Sequence, residues 1–214
     1  MNQNLSIGLL LSAADFELVP AWLKNHDGIG KEIIIGVDGT PDELYFALSN
    51  FHTNQSDCDI IHTPLNNDFA GARNLIIENC KTDWILFLDA DELLMPNQDR
   101  FLLKSNIWNN TSQPKHYSAA RYNLFNRHWI SSPECHSCLM TKDSRYQNLS
   151  PYAGARPGCH EKPSSNYGGM LPNLQILHLK ENWTGNFRAK GYGDSRQQEA
   201  LADLHKKIEE TKQP

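Results

Sequence analysis

Hydrophobic and polar positions follow two rhythms along this chain. Largely apolar runs at Leu5–Leu11, Ile33–Val37, Trp84–Leu88 and Leu174–Leu179 are short and bounded by turn residues, which reads as strands buried on both faces. Between them, Phe16–Asn25 with Trp22 and Leu23, the segment leading to Phe51, and Ala72, Leu75, Ile76 and Cys80 place apolar residues near helical spacing. Further along, Ala200, Leu201, Leu204 and Ile208 fall on one face of a helix that Asp194 or Ser195 would cap. Alternating strands and helices predict an α/β architecture, and 214 residues are enough for one substantial core. No stretch reads as a linker, so one domain is expected.

The run from Trp84 to Leu88 ends in Asp89-Ala90-Asp91-Glu92, three carboxylates within four residues. In open α/β sheets ligands bind beyond the carboxyl ends of the strands. Asp89 and Asp91 are two apart, so continued strand geometry would point them to one side. Paired hard oxygens suit Mg²⁺ or Mn²⁺, with water and substrate phosphate completing the shell. The structural alternative is a solvated acidic turn, or a helix beginning at Glu92. Upstream, Asn67-Asp68-Phe69-Ala70-Gly71-Ala72-Arg73-Asn74 opens the helix that leads into this strand.

On these two stretches the chain resembles the family 2 glycosyltransferases of the GT-A fold. Members of that family carry a Phe-Ala-Arg-Asn helix start followed by a strand ending in Asp-Ala-Asp-Glu. The resemblance extends over roughly residues 5 to 190 and is closest over 67 to 92. It implies a Rossmann-like, mostly parallel sheet flanked by helices, with a small mixed C-terminal part. Residues 1–95 would form the nucleotide-sugar half, 96–190 the acceptor half and 191–214 the C-terminal helix. One departure is Ser12-Ala13-Ala14-Asp15, which replaces the family's Asn-Glu turn after the first strand.

By that resemblance the chain would be an inverting transferase, moving a sugar from a nucleotide-diphosphate sugar to an acceptor hydroxyl, with a UDP-sugar as the first choice of donor. Asp38, in Asp38-Gly39-Thr40, would hold base and ribose, although alone it reads as a turn residue; Thr40 or Asp42 would cap the following helix. Asp68, Arg73 and Asp89 complete the expected donor contacts. The Arg73 fork suits phosphate, with an ion pair to Asp68 as its structural alternative. Asp91 is the first metal ligand, Asp89 ligates directly, through water or instead contacts the ribose or sugar hydroxyls, and His178 is the metal-binding histidine of a late strand. Without the resemblance His178 reads as a half-buried imidazole bonded to backbone. Glu161 is the expected base, with His160 beside it orienting the base or contacting donor phosphate; Glu92 competes for the base role.

Composition narrows the partners. Net charge is −5 with no Lys/Arg tract, so the footprint of a general nucleic-acid binder is missing. No apolar run is long enough to span a bilayer, and Met1-Asn2-Gln3-Asn4 carries no basic leader; a cytoplasmic protein, with a peripheral position at a membrane open to it, is expected. The five cysteines are an odd number and read as reduced thiols. Cys135, Cys138 and Cys159, with His160, nevertheless have the ligand types of a structural Zn²⁺ site, which would withdraw His160 from catalysis. Aromatic residues over 108–157, among them Trp108, Tyr117, Tyr122, Phe125, Trp129, Tyr146 and Tyr152, would stack on an acceptor or pack a core. The acceptor classes left open are a glycan, a lipid-linked sugar, a protein and a modified base. Two other functions compete. A nucleotidyltransferase would need a glycine-rich basic loop after the first strand, where Leu11–Asp15 has neither glycine nor lysine. A degenerate module would bind nucleotide sugar without consuming it.

Overall fold

A computed structural model describes residues 2–66, 68–95, 115–125, 128–129, 134–148 and 161–180. The expected helix over 191–214 lies outside these residues. The chain begins with β1 (Asn2–Ser12), a 3-10 turn (Ala13–Leu18), α1 (Val19–His26), β2 (Gly30–Asp38), α2 (Pro41–Asn50), β3 (Asp57–His62), α3 (Phe69–Asn79) and β4 (Trp84–Phe87). The strands β5 (Glu92–Leu94), β6 (Lys115–Phe125), β7 (His128–Trp129), β8 (Glu134–Thr141), β9 (Tyr146–Asn148), β10 (Glu161–Pro163) and β11 (Asn166–Lys180) follow.

The strands β3, β2, β1 and β4 lie side by side in that order, every neighbouring pair parallel. Beyond β4 the sheet continues through β8, β6, β11 and β5. Of these contacts only β6 with β11 is parallel. Strands β9 and β10 form a separate antiparallel pair. This is the helix-flanked α/β sheet expected from the sequence, with its parallel strands first and its mixed strands after.

Alternation along each strand explains the two-sided burial. Leu5, Ile7, Leu9 and Leu11 of β1, with Trp84 and Leu86 of β4, pack against Val19, Trp22 and Leu23 of α1 and Ala47 of α2. The opposite parity, Ile85 and Phe87, packs with Ala70, Ile76 and Ile77 of α3. A strand covered by helices on both faces must be apolar at consecutive positions, and that produced the unbroken run in the sequence.

The helix expected over Phe16–Asn25 starts later, at Val19, after the 3-10 turn. Pro20 is the reason: it lacks an N–H and fits the first turn of a helix, whereas a start at Phe16 would set it in the interior. Thr40 caps α2 as expected, accepting from Glu43 N, while Glu43 Oε2 accepts from Thr40 N at 2.6 Å. Residues 92–94 form β5 rather than a helix.

Candidate active site

β1 has β2 on one side and β4 on the other, while the chain runs outward through β3 before returning. The carboxyl ends of β1 and β4 therefore flank the point where strand order reverses. Leu88 N donates to Gly8 O at 3.1 Å, and the chain then turns through Asp89, Ala90 and Asp91. Glu92 N donates to Asp89 O at 2.9 Å, and Asp89 N donates back to Glu92 Oε2 at 3.0 Å. The Trp22 indole N–H also donates to Asp89 O, at 3.1 Å, and Leu179 N donates to Asp91 O at 2.9 Å. The turn is thus pinned to α1, β5 and β11.

Within it the two aspartates have different partners. Asp89 Oδ1 lies 2.9 Å from Arg73 Nη2, whereas Asp91 Oδ2 lies 3.2 Å from His178 Nε2. Burial pushes the Asp91 carboxyl above the usual carboxylate range; His178 pulls it down, and Asp89 and Glu92 push it further up. The Arg73 guanidinium lies 5.2 Å from the centre of the Phe87 ring and 5.4 Å from that of Tyr146, distances suited to cation–π attraction. Arg73 is buried and is held on three sides by rings and a carboxylate.

Asp68 does not pair with Arg73 as the sequence allowed. It caps α3, accepting from Gly71 N at 2.8 Å, and accepts from the Asn148 amide at 2.9 Å. The Gly71 N–H and then the Asn148 amide hold its carboxyl below the usual range, against a small opposing effect of burial. A Cβ at position 71 would run into the Asp68 carboxylate, so a larger residue there would have to displace the cap of α3. Asp38, at the end of β2, accepts from Leu65 N at 3.0 Å. An open groove of about 370 Å³ begins beside Leu65 and runs along Asp68, Gly71, Asn74 and Glu78.

Asn74 clasps β9: its Nδ2 donates to Tyr146 O at 3.0 Å and its Oδ1 accepts from Tyr146 N at 2.8 Å. β10 opens at Glu161, whose backbone pairs with Asn148. His160 and the Glu161 side chain lie outside the described residues. Glu92 is fully buried, with its carboxylate accepting from Asp89 N and paired to Arg121 Nη1 at 3.2 Å. It acts as a strut beneath the turn. Cys138 is buried, and burial pushes its thiol upward; the Cys135 side chain and Cys159 lie outside the described residues, and with them the zinc expectation.

Arg121, Asn123 and Trp22 surround this site without having been singled out by sequence for it. Trp22 was legible only as a helix residue. Arg121 and Asn123 stand two apart in a strand of mixed character, a weak signal that one polar face is turned inward. Among the described residues no group of three or more His, Cys, Asp or Glu side chains is arranged to hold a metal ion, and no helix is long and apolar enough to cross a membrane.

The fold is that of an α/β protein with a carboxylate turn at the switch point of its sheet. The model of the family described as "Glycosyl transferase family 2" matches residues 19–131, more than half of the chain, and the chain belongs to that family. Among solved structures, TarS 1–349 of S. aureus is similar at 15% identity and a TM-score of 0.40, covering 56% of this chain and 36% of its own. The same segment of TarS in complex with UDP is similar at 13% identity and a TM-score of 0.43, covering 62% and 38%. HddC from Yersinia pseudotuberculosis is similar at 9% identity and a TM-score of 0.45, covering 81% and 92%. The chain thus spans little more than a third of TarS 1–349. No curated protein sequence matches it.

Proposed function

We propose that this protein transfers a sugar from a nucleotide-diphosphate sugar, with UDP as the first choice of nucleotide, to an acceptor hydroxyl with inversion at the anomeric carbon. The observation that carries the reading is the meeting of Asp91 and His178 at 3.2 Å, at the switch point and two residues from the Asp89 that pairs with Arg73. A carboxylate oxygen and an imidazole nitrogen so close together fit Mn²⁺, and Mg²⁺ with less help from the imidazole; such ions keep several positions for water and phosphate oxygens, so two protein ligands suffice. When bound, the ion neutralises charge on the departing diphosphate.

The chain's own groups divide the remaining work. Arg73, set against the Phe87 and Tyr146 rings and oriented by Asp89, presents its guanidinium to the diphosphate. Asp89 is the more exposed of the two aspartates and is placed to accept from donor hydroxyls. Asp68 lines the groove and Asp38 holds Leu65 at its edge, and to these two fall the base and ribose. Glu161 removes the acceptor proton as the oxygen attacks opposite the diphosphate, and His160 contacts phosphate beside it. The pairing of β10 with β9, and the clasp of β9 on α3, support Glu161 in this role because α3 also carries Arg73.

The test is a thermal-shift panel of UDP, GDP, CMP and dTDP sugars with and without Mn²⁺, since a ligand bound only by the native state raises stability. A Mn²⁺-dependent shift with a UDP-sugar, lost in Asp91→Ala, is expected. Glu161→Gln should keep that shift and lose transfer. A shift with no consumption of donor by the wild-type protein and an acceptor would favour a binding module, and the absence of any shift would sink the donor site.

A further inference from the structure

The strands β5, β11 and β6 place three polar residues in one row: Glu92 opposite His178, and His178 opposite Asn123. Residues paired in register project from the same face of a sheet. Asn123 is 1% exposed, and its Oδ1 lies 2.8 Å from His178 Nδ1. An amide oxygen only accepts, so a proton on Nδ1 satisfies this bond, and a neutral imidazole protonated there keeps Nε2 as an acceptor. That Nε2 faces Asp91 Oδ2 at 3.2 Å. Two acceptors then point at one another, an arrangement that attracts a cation.

The opposite tautomer would close the site. With the proton on Nε2, His178 would donate to Asp91, and the pair would satisfy itself with no need of an ion. We propose that Asn123 is a positioning residue that locks His178 in the Nδ1–H tautomer, so that Nε2 and Asp91 Oδ2 stay open as a two-point ligand for a divalent cation. The proposal rests on the cation reading of the preceding section. The spacing of the two donors is set by backbone, because Leu179 N, the residue after His178, donates to Asp91 O at 2.9 Å. What backbone does not set is where the ring proton sits, and that is the work of the Asn123 amide. Partners that fix a ligand histidine in this way typically matter by about 10–100-fold in metal affinity.

Two variants test it: Asn123→Leu, which keeps the branched skeleton and removes the acceptor, and Asn123→Asp, which restores an oxygen. In metal-free wild-type protein held above the ordinary histidine titration range, long-range ¹H–¹⁵N spectra should show His178 protonated on Nδ1. Asn123→Leu should move the proton to Nε2 and weaken Mn²⁺ binding, followed by electron paramagnetic resonance, about 10–100-fold. Asn123→Asp should return both to near wild type. A wild-type ring protonated on Nε2 overturns the proposal without any variant, even where Asn123→Leu fails to fold. Mn²⁺ affinity unchanged by a folded Asn123→Leu overturns this proposal alone, whereas a wild-type protein that binds no Mn²⁺ overturns the cation reading and this inference with it.

Discussion

The parallel strands and the seam of β5, β11 and β6 are both buried, yet they are filled differently. In β1, β2 and β4 the inward side chains are overwhelmingly aliphatic, and the buried acid Glu32 is engaged by Ser6 and Lys81 N at the amino ends of the strands, away from the turn. Across the seam, Glu92, His178 and Asn123 lie inside the protein with Arg121 beside them. Burying polar groups costs free energy unless partners are supplied, and here each has one. The aliphatic half makes a sheet that stands; the polar half holds groups whose orientation matters more than their contribution to stability.

That contrast is broken most sharply by paired substitutions. Leu86→Ala, in the aliphatic half, should lower unfolding free energy by about 2–5 kcal/mol while preserving turnover per folded molecule; urea unfolding and donor consumption on one sample check both. Asp91→Ala should do the reverse, reducing donor turnover about 100- to 1,000-fold with a change in stability below about 1 kcal/mol. Normal turnover in Asp91→Ala would remove the seam from the chemistry.

Arg73→Lys comes next. It keeps the charge and loses both the fork and the flat face set against Phe87 and Tyr146, so donor KM should rise about tenfold, the worth of one charge-assisted hydrogen bond. An unchanged KM would mean that Arg73 only braces Asp89.

The smallest effect concerns His26, which joins the two regions. Its ring packs on Trp22, and Leu94 N of β5 donates to its Nε2 at 3.4 Å. Burial lowers its pKa to about 3, against a smaller opposing contribution from the Trp22 backbone. The unfolded chain therefore takes up a proton that the folded one refuses, so the stability contributed is complete above the ordinary histidine value and is lost as pH falls below it. One pH unit below that value the loss should be about 1 kcal/mol, seen as a lower urea midpoint and absent from His26→Leu. A midpoint that does not change over this range would show that His26 takes up a proton within the fold.

What was legible in the sequence was local. The run from Trp84 to Glu92 announced a buried strand that ends in a carboxylate turn, the turn on which the proposed site rests, because double-sided burial and a terminal cluster of carboxylates each leave a mark within a few residues. Thr40, offered with Asp42 as the cap, signalled its helix for the same reason. The different partners of Asp89 and Asp91 were not legible: strand spacing put them on one side, but the bond from Asp89 N to Glu92 bends the chain and sends one toward α3, the other toward β11. Arg121 and Asn123 stayed hidden because their meaning depends on the register of β6 against β11, strands about fifty residues apart in sequence. Pro20 was visible from the start, and it should have moved the start of α1.

The clasp of Asn74 on Tyr146 has a mechanical side. A side-chain amide that both donates to and accepts from one residue's backbone imitates a neighbouring strand, and a joint with two bonds at fixed spacing cannot swivel. Helix α3 and strand β9 are therefore one stiff lever, with Arg73 one residue from its fulcrum and β10 strapped to its far arm. Two hydrogen bonds and one strand pairing are thus all that lie between β10 and the helix that carries the guanidinium.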